Sequence, residues 1–116
     1  MTPTIPAPVA NYAYFCAKCQ SSYTDPTGAR ELASRLNLDL WVPAEHVVDT
    51  AYPTGALQCL EAIRRCMAVI VQPPVGADCG WELGVAYMLG KPTYLLSPLP
   101  EADWMTKIGI HELVRK

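Results

Sequence analysis

The 116-residue chain contains no cluster of Lys or Arg, and its nine basic residues are outnumbered by eleven acidic ones. A surface built to hold a polyanion is therefore not expected, which argues against a nucleic-acid polymer as partner. No apolar run approaches the roughly 20 residues that cross a bilayer, so no membrane partner is expected. The first ten residues, MTPTIPAPVA, carry no basic segment of the kind that opens an export signal, and their prolines read as an extended arm. Neither G-x-G-x-x-G nor G-K-[ST] occurs, so the common dinucleotide and P-loop sites are absent. His46 and His111 have no nucleophile at motif spacing.

Charged residues make up only 17% of the chain against 51% hydrophobic, too apolar a balance for a disordered segment. The length suits one compact domain, residues 1–116, with a core that needs no staples. Five cysteines at 16, 19, 59, 66 and 79 form no disulfide framework, which fits reduced thiols in a cytoplasm. Cys16 and Cys19 form one C-x-x-C, but no second pair completes a zinc set and no helix start adjoins it. Buried apolar thiols are the simpler expectation, with no metal and no organic cofactor.

The hydrophobic pattern alternates between two periods. Tyr12 to Cys16, Leu38 to Val42, Ala68 to Val71 and Pro92 to Leu96 read as strands, the third as a central one covered on both faces. Between them, Asp25–Pro26 opens a helix on which Ala29, Leu32, Ala33 and Leu36 share a face and Glu31 and Arg35 form a pair. Pro43 to Thr54 reads as a loop. Thr54 then caps a helix with Leu57, Leu60, Ile63 and Met67 as its apolar stripe and Glu61, Arg64 and Arg65 on its wet face. A third helix spans about Asp78 to Leu89, with Gly90 as its left-handed terminator, and a fourth spans Asp103 to Val114. This β-α-β order predicts a flavodoxin- or Rossmann-like α/β sandwich around a parallel sheet of four to five strands. Its ligand site should lie near the carboxyl ends of the strands, among the loops after Cys16, Val42 and Val71.

The segment from Val71 to Pro92 is the most informative. Its helix has almost no polar residue besides Asp78 and Glu82, which lie four apart on one face of the N-terminal end. A carboxylate beside Trp81 on such a helix should be partly desolvated, with a raised pKa; the competing reading is a capping Asp78 and a solvated Glu82. Gly76, Gly80 and Gly84 allow close approach of a ligand to a helix N-terminus, or of another helix to Gly84. Trp41 and Trp104 read as core or interface anchors.

The stretch GWELGVAYMLGKP, following AIRRCMAVIV, resembles the nucleoside 2-deoxyribosyltransferase family, which includes the 2′-deoxynucleoside 5′-monophosphate N-glycosidases. YFCAKCQSSYTDPTGARELASRL and AEHVV resemble that family's first strand, substrate loop and first helix, and the segment after its second strand. The resemblance spans about residues 12 to 96. It implies an enzyme in which Glu82 attacks C1′ of a deoxyribose, Tyr14 orients Glu82, and Asp78 serves as a further acid. Lys18, Ser21, Ser22 and Gly80 would contact the sugar or its 5′-phosphate; His46, on a crevice loop, could touch the base. A carboxylate nucleophile suits an oxocarbenium-like transition state. The resemblance also implies a small nucleoside or nucleotide as substrate and a homodimer or larger homo-oligomer, for which Trp104, Met105, Ile108 and Ile110 would suit the interface. Cys59 stands about where the family carries a helical aspartate. That departure keeps a second expectation open: a module of the same fold that binds a nucleotide without turnover.

Overall fold

A computed structural model shows the architecture. It describes residues 10–17, 25–48, 51, 53–73, 76–97 and 112–113. Strand β1 (Tyr12–Ala17) is followed by α1 (Thr27–Arg35), β2 (Asp39–Trp41), the four-residue α2 (Pro43–His46), α3 (Thr54–Arg65), β3 (Ala68–Gln72), α4 (Ala77–Met88), β4 (Thr93–Leu95) and β5 (Glu112–Leu113). All pairings are parallel, in the order β2-β1-β3-β4-β5. This is the flavodoxin-like order, as the alternating periods predict.

Alternation along the strands sorts the core into two layers. Ala13, Phe15 and Ala17 of β1, with Ala68 and Ile70 of β3, face Ala29, Leu32 and Ala33 of α1. Tyr14 and Cys16, with Val69 and Val71, face Ala62 and Ile63 of α3 and Cys79, Leu83 and Ala86 of α4. The sheet is thus covered by α1 on one side and by α3 and α4 on the other. Every residue from Ala68 to Val71 is buried, as expected of a central strand.

Two helices end alike. In α4, the amide N–H groups of Gly90 and Lys91 donate to Tyr87 and Ala86, with Gly90 at φ 72°. In α1, Asn37 and Leu38 donate to Ser34 and Ala33, with Asn37 at φ 60°. Both are Schellman closures, and Gly and Asn are the residues that tolerate the left-handed position.

Several expectations change. The buried face of α3 runs through Gly55, Ala62 and Ile63, with Cys59 packed beside them, while Leu57 is 59% and Met67 48% exposed. Small side chains bring this helix close to the sheet, so its inner face is not its most hydrophobic one. Pro43 to Thr54 is not all loop, because Pro43 starts α2. Pro26 and Pro53, rather than Asp25 and Thr54, occupy the N-cap positions of α1 and α3, although the Asp25 carboxylate accepts the Thr27 amide at 3.0 Å. Among the described residues Glu31 and Arg35 form no ion pair; Arg30 instead pairs with Glu45. Glu112–Leu113 is a strand beside β4 where a helix was expected to continue, and the interface candidates between Trp104 and Ile110 lie outside the described residues.

Candidate functional site

Glu82 lies on the sheet-facing side of α4 with its carboxylate turned toward β1. Gly76 takes extended backbone to admit the helix, and Asp78 in the first turn complements the positive helix end. Three residues past Cys79, Glu82 shares its face, and the helix carries it toward β1. There the Tyr14 hydroxyl donates to Glu82 Oε2 at 2.6 Å. Cys16 Sγ lies 3.8 Å from Oε1 and donates to the Cys79 carbonyl at 3.6 Å. Tyr14 and Cys16 follow from the strand period: two apart on β1, both point to the α4 side.

Tyr14 is wholly buried, and its ring stacks on Trp41 at 5.5 Å, which fixes the hydroxyl's direction. Burial and the neighbouring carboxylate push its pKa far up, so the phenol stays protonated and acts as a donor. Burial also raises the Glu82 carboxyl above its ordinary 4.5; hydrogen bonds from Tyr14 and Cys16 oppose the rise, and Asp78 adds to it. The desolvation expected beside Trp81 is therefore present. The Cys59 thiol lies against Tyr14, and burial raises its pKa.

The carboxylate opens into a cleft of about 580 Å³ between the N-terminal halves of α3 and α4. Cys59, Leu60 and Gly55 line one wall, and Asp78, Trp81 and Glu82 the other. The site thus lies on the α3–α4 face of the sheet, rather than only among the loops at the strand ends.

The structure brings together Glu82, Tyr14, Asp78 and, across the cleft, Cys59. Asp78 is solvent-exposed at the rim. Gly80 lies on the same first turns of α4, where an added Cβ would meet nothing within 4 Å. Gly84 is equally open, and no helix among the described residues packs against it. His46 does not line this cleft. Its Nδ1 lies 3.0 Å from the Val42 amide, and its ring stacks on the outer face of Trp41 at 5.5 Å. Trp41 is therefore the middle layer of a Tyr14–Trp41–His46 stack rather than a plain core anchor. Lys18, Ser21 and Ser22 lie outside the described residues.

Two features escaped the sequence reading. Cys16 reaches Cys79 and Glu82 of α4 from β1, a non-local contact with no spacing signal. Lys91 reaches back to donate to the Arg64 and Cys66 carbonyls at 2.9 and 2.8 Å, closing the end of α3. Its position after the helix terminator was visible, but not its reach.

The outer face of α4 differs from expectation as well. Trp81 is 62% and Met88 81% exposed, and Leu57 of α3, which lines the same cleft as Trp81, is exposed as well. An apolar helix in one chain is here not a covered helix. No helix among the described residues is long and apolar enough to cross a membrane. Compared with family models, curated proteins and solved structures, the chain matches none. The functional reading rests on the geometry.

Proposed function

We propose that the chain is a nucleoside 2-deoxyribosyltransferase-like enzyme that cleaves or transfers the N-glycosidic bond of a 2′-deoxynucleoside or its 5′-monophosphate. The observation that carries this reading is the 2.6 Å hydrogen bond from buried Tyr14 to Glu82 at the floor of a cleft. A fixed donor on Oε2 orients the carboxylate and leaves Oε1 for the sugar. Attack of Oε1 on C1′ displaces the base with its bonding electrons and forms a glycosyl ester; water or a second base then takes the sugar and frees the carboxylate. Asp78, at the rim, is the acid best placed near a departing base. No metal or organic cofactor is required for these steps. A homo-oligomer in which a second copy covers Leu57, Trp81 and Met88 fits the exposed apolar face.

One observation favours a second reading. The α3 wall of the cleft presents Cys59 and Leu60 and no carboxylate, which suits a module that holds a nucleotide without cleaving it. Chromatography of a deoxynucleoside and deoxynucleotide panel, with and without a second free base, decides between them. Base release that disappears in Glu82→Ala supports the enzyme, and sugar exchange into the second base separates transfer from hydrolysis. Binding without release from any substrate by the folded wild type supports the module.

A further inference from the structure

Cys16, Cys79 and Glu82 are the one group of three possible metal ligands among the described residues. Their donor atoms all lie within 4.8 Å of one another. A tetrahedral ion bound to sulfur at about 2.3 Å and to oxygen at about 2.0 Å sets its donors roughly 3.5–3.8 Å apart. Cys16 Sγ and Glu82 Oε1 already stand at 3.8 Å. Closing the rest of the triangle takes side-chain shifts of roughly 1 Å or less. We propose that these three residues form a binding site for a thiophilic divalent cation of the zinc class.

The supporting frame is rigid. Cys79 and Glu82 are three apart on α4 and therefore share a face, while Cys16 reaches them from the central strand. The carboxylate that would bind through Oε1 already has its other oxygen held by the Tyr14 hydroxyl, the kind of outer partner that orients a ligating carboxylate. Two sulfurs and one carboxylate oxygen select zinc, cadmium or cobalt over magnesium or calcium. Three protein ligands leave a fourth position for water, on the side that opens to the cleft. On binding, each thiol releases one proton to solvent as its metal–sulfur bond forms, and the two thiolates balance the ion's charge. If the N-glycosidic reading holds, the ion takes the oxygen that would attack the sugar, so the same site blocks base release when loaded.

Titration of the reduced full-length chain with Co²⁺, followed by near-ultraviolet thiolate-to-cobalt absorbance, tests the site without reference to activity. The expected result is a charge-transfer band that saturates at one ion per chain and is abolished by excess Zn²⁺. Cys16→Ser and Cys79→Ser should lose it, Glu82→Gln should weaken binding roughly tenfold or more, and Cys66→Ser should retain it. No band in the wild type overturns the proposal without reliance on any variant, as does a band that survives both serine substitutions at 16 and 79. Base release measured with chelator and with added Zn²⁺ keeps the two readings apart. A cobalt band with no base release from any substrate removes the N-glycosidic reading and leaves the metal site standing. Base release without a cobalt band does the reverse.

Discussion

Replacing Tyr14 with Phe removes one buried oxygen behind the Glu82 carboxylate and leaves a ring of nearly the same shape stacked on Trp41. What is lost is the 2.6 Å hydrogen bond to Glu82 Oε2. A hydrogen bond to a charged group contributes about 1.5–3 kcal/mol, which corresponds to roughly a ten- to hundredfold change in an equilibrium or rate. The direction follows from the balance at Glu82. Burial raises its pKa, and the Tyr14 hydroxyl opposes that rise by stabilising the ionised form. Without the hydroxyl the carboxylate titrates at higher pH and is less well aimed. Base release near neutral pH should therefore fall by roughly ten- to a hundredfold, and its acidic limb should move upward, with partial recovery in more alkaline buffer. Chromatographic base release against pH, for wild type and variant, reads both effects. Carbon-13 NMR of the labelled glutamate side chains reads the titration directly, even where turnover is slow. An unchanged Glu82 titration in the folded Tyr14→Phe chain would refute the coupling.

The remaining expectations concern stability. Because the folded state raises the Glu82 pKa, the carboxyl stabilises the fold fully below its ordinary 4.5, and that contribution is lost as pH rises through the folded value. Glu82→Gln keeps an oxygen for Tyr14, so its Tm should exceed that of wild type by a few degrees at neutral pH and match it near pH 4, as thermal melts at both pH values would read. Lys91→Met removes both donors from the end of α3 and should cost about 2 kcal/mol, a Tm fall of roughly 8 °C; an unchanged melt would show that those carbonyls are satisfied otherwise. Gly84→Ala places a methyl group in open space on an exposed helix and should stabilise by about 0.5–1 kcal/mol in denaturant unfolding. A loss instead would mean that something beyond the described residues approaches that backbone.

The strands were legible because their residues announce them: YAYFC and AVIV are aromatic or β-branched runs of strand length, and both are strands of the central sheet. The ends of α1 and α4 could be read from Gly90 and missed at Asn37, which does the same work with a side chain. The inner face of α3 was read only in part: Ile63 of the expected stripe is wholly buried, but counting hydrophobicity also favours Leu57 and Met67, which are exposed. The packing instead uses Gly55, Cys59 and Ala62, whose value is that they are small. β5 is two residues long and sits in a stretch with helical composition, so only its neighbour β4 identifies it. At the site, the desolvation of Glu82 was readable from its own helix. Its contact with Tyr14 was suggested only by resemblance, because a pair 68 residues apart leaves no local pattern. The approach of Cys16 to that helix left none either.

The strand order has a kinetic consequence. β1 lies inside the sheet, yet its full-length partner is β3: Phe15 pairs with Ile70 and Cys16 with Val71, across α1, β2 and α3. The chain must close that long loop before the sheet has a centre, and distant contacts of this kind slow folding. Tyr14 meets Glu82 only where the crossover after β3 lays α4 on the sheet. The pair therefore depends on the docking of α4 and is lost when α4 detaches. Protection of the Glu82 region from hydrogen exchange would then report the docking of α4, where protection of Val69 and Ile70 reports the sheet.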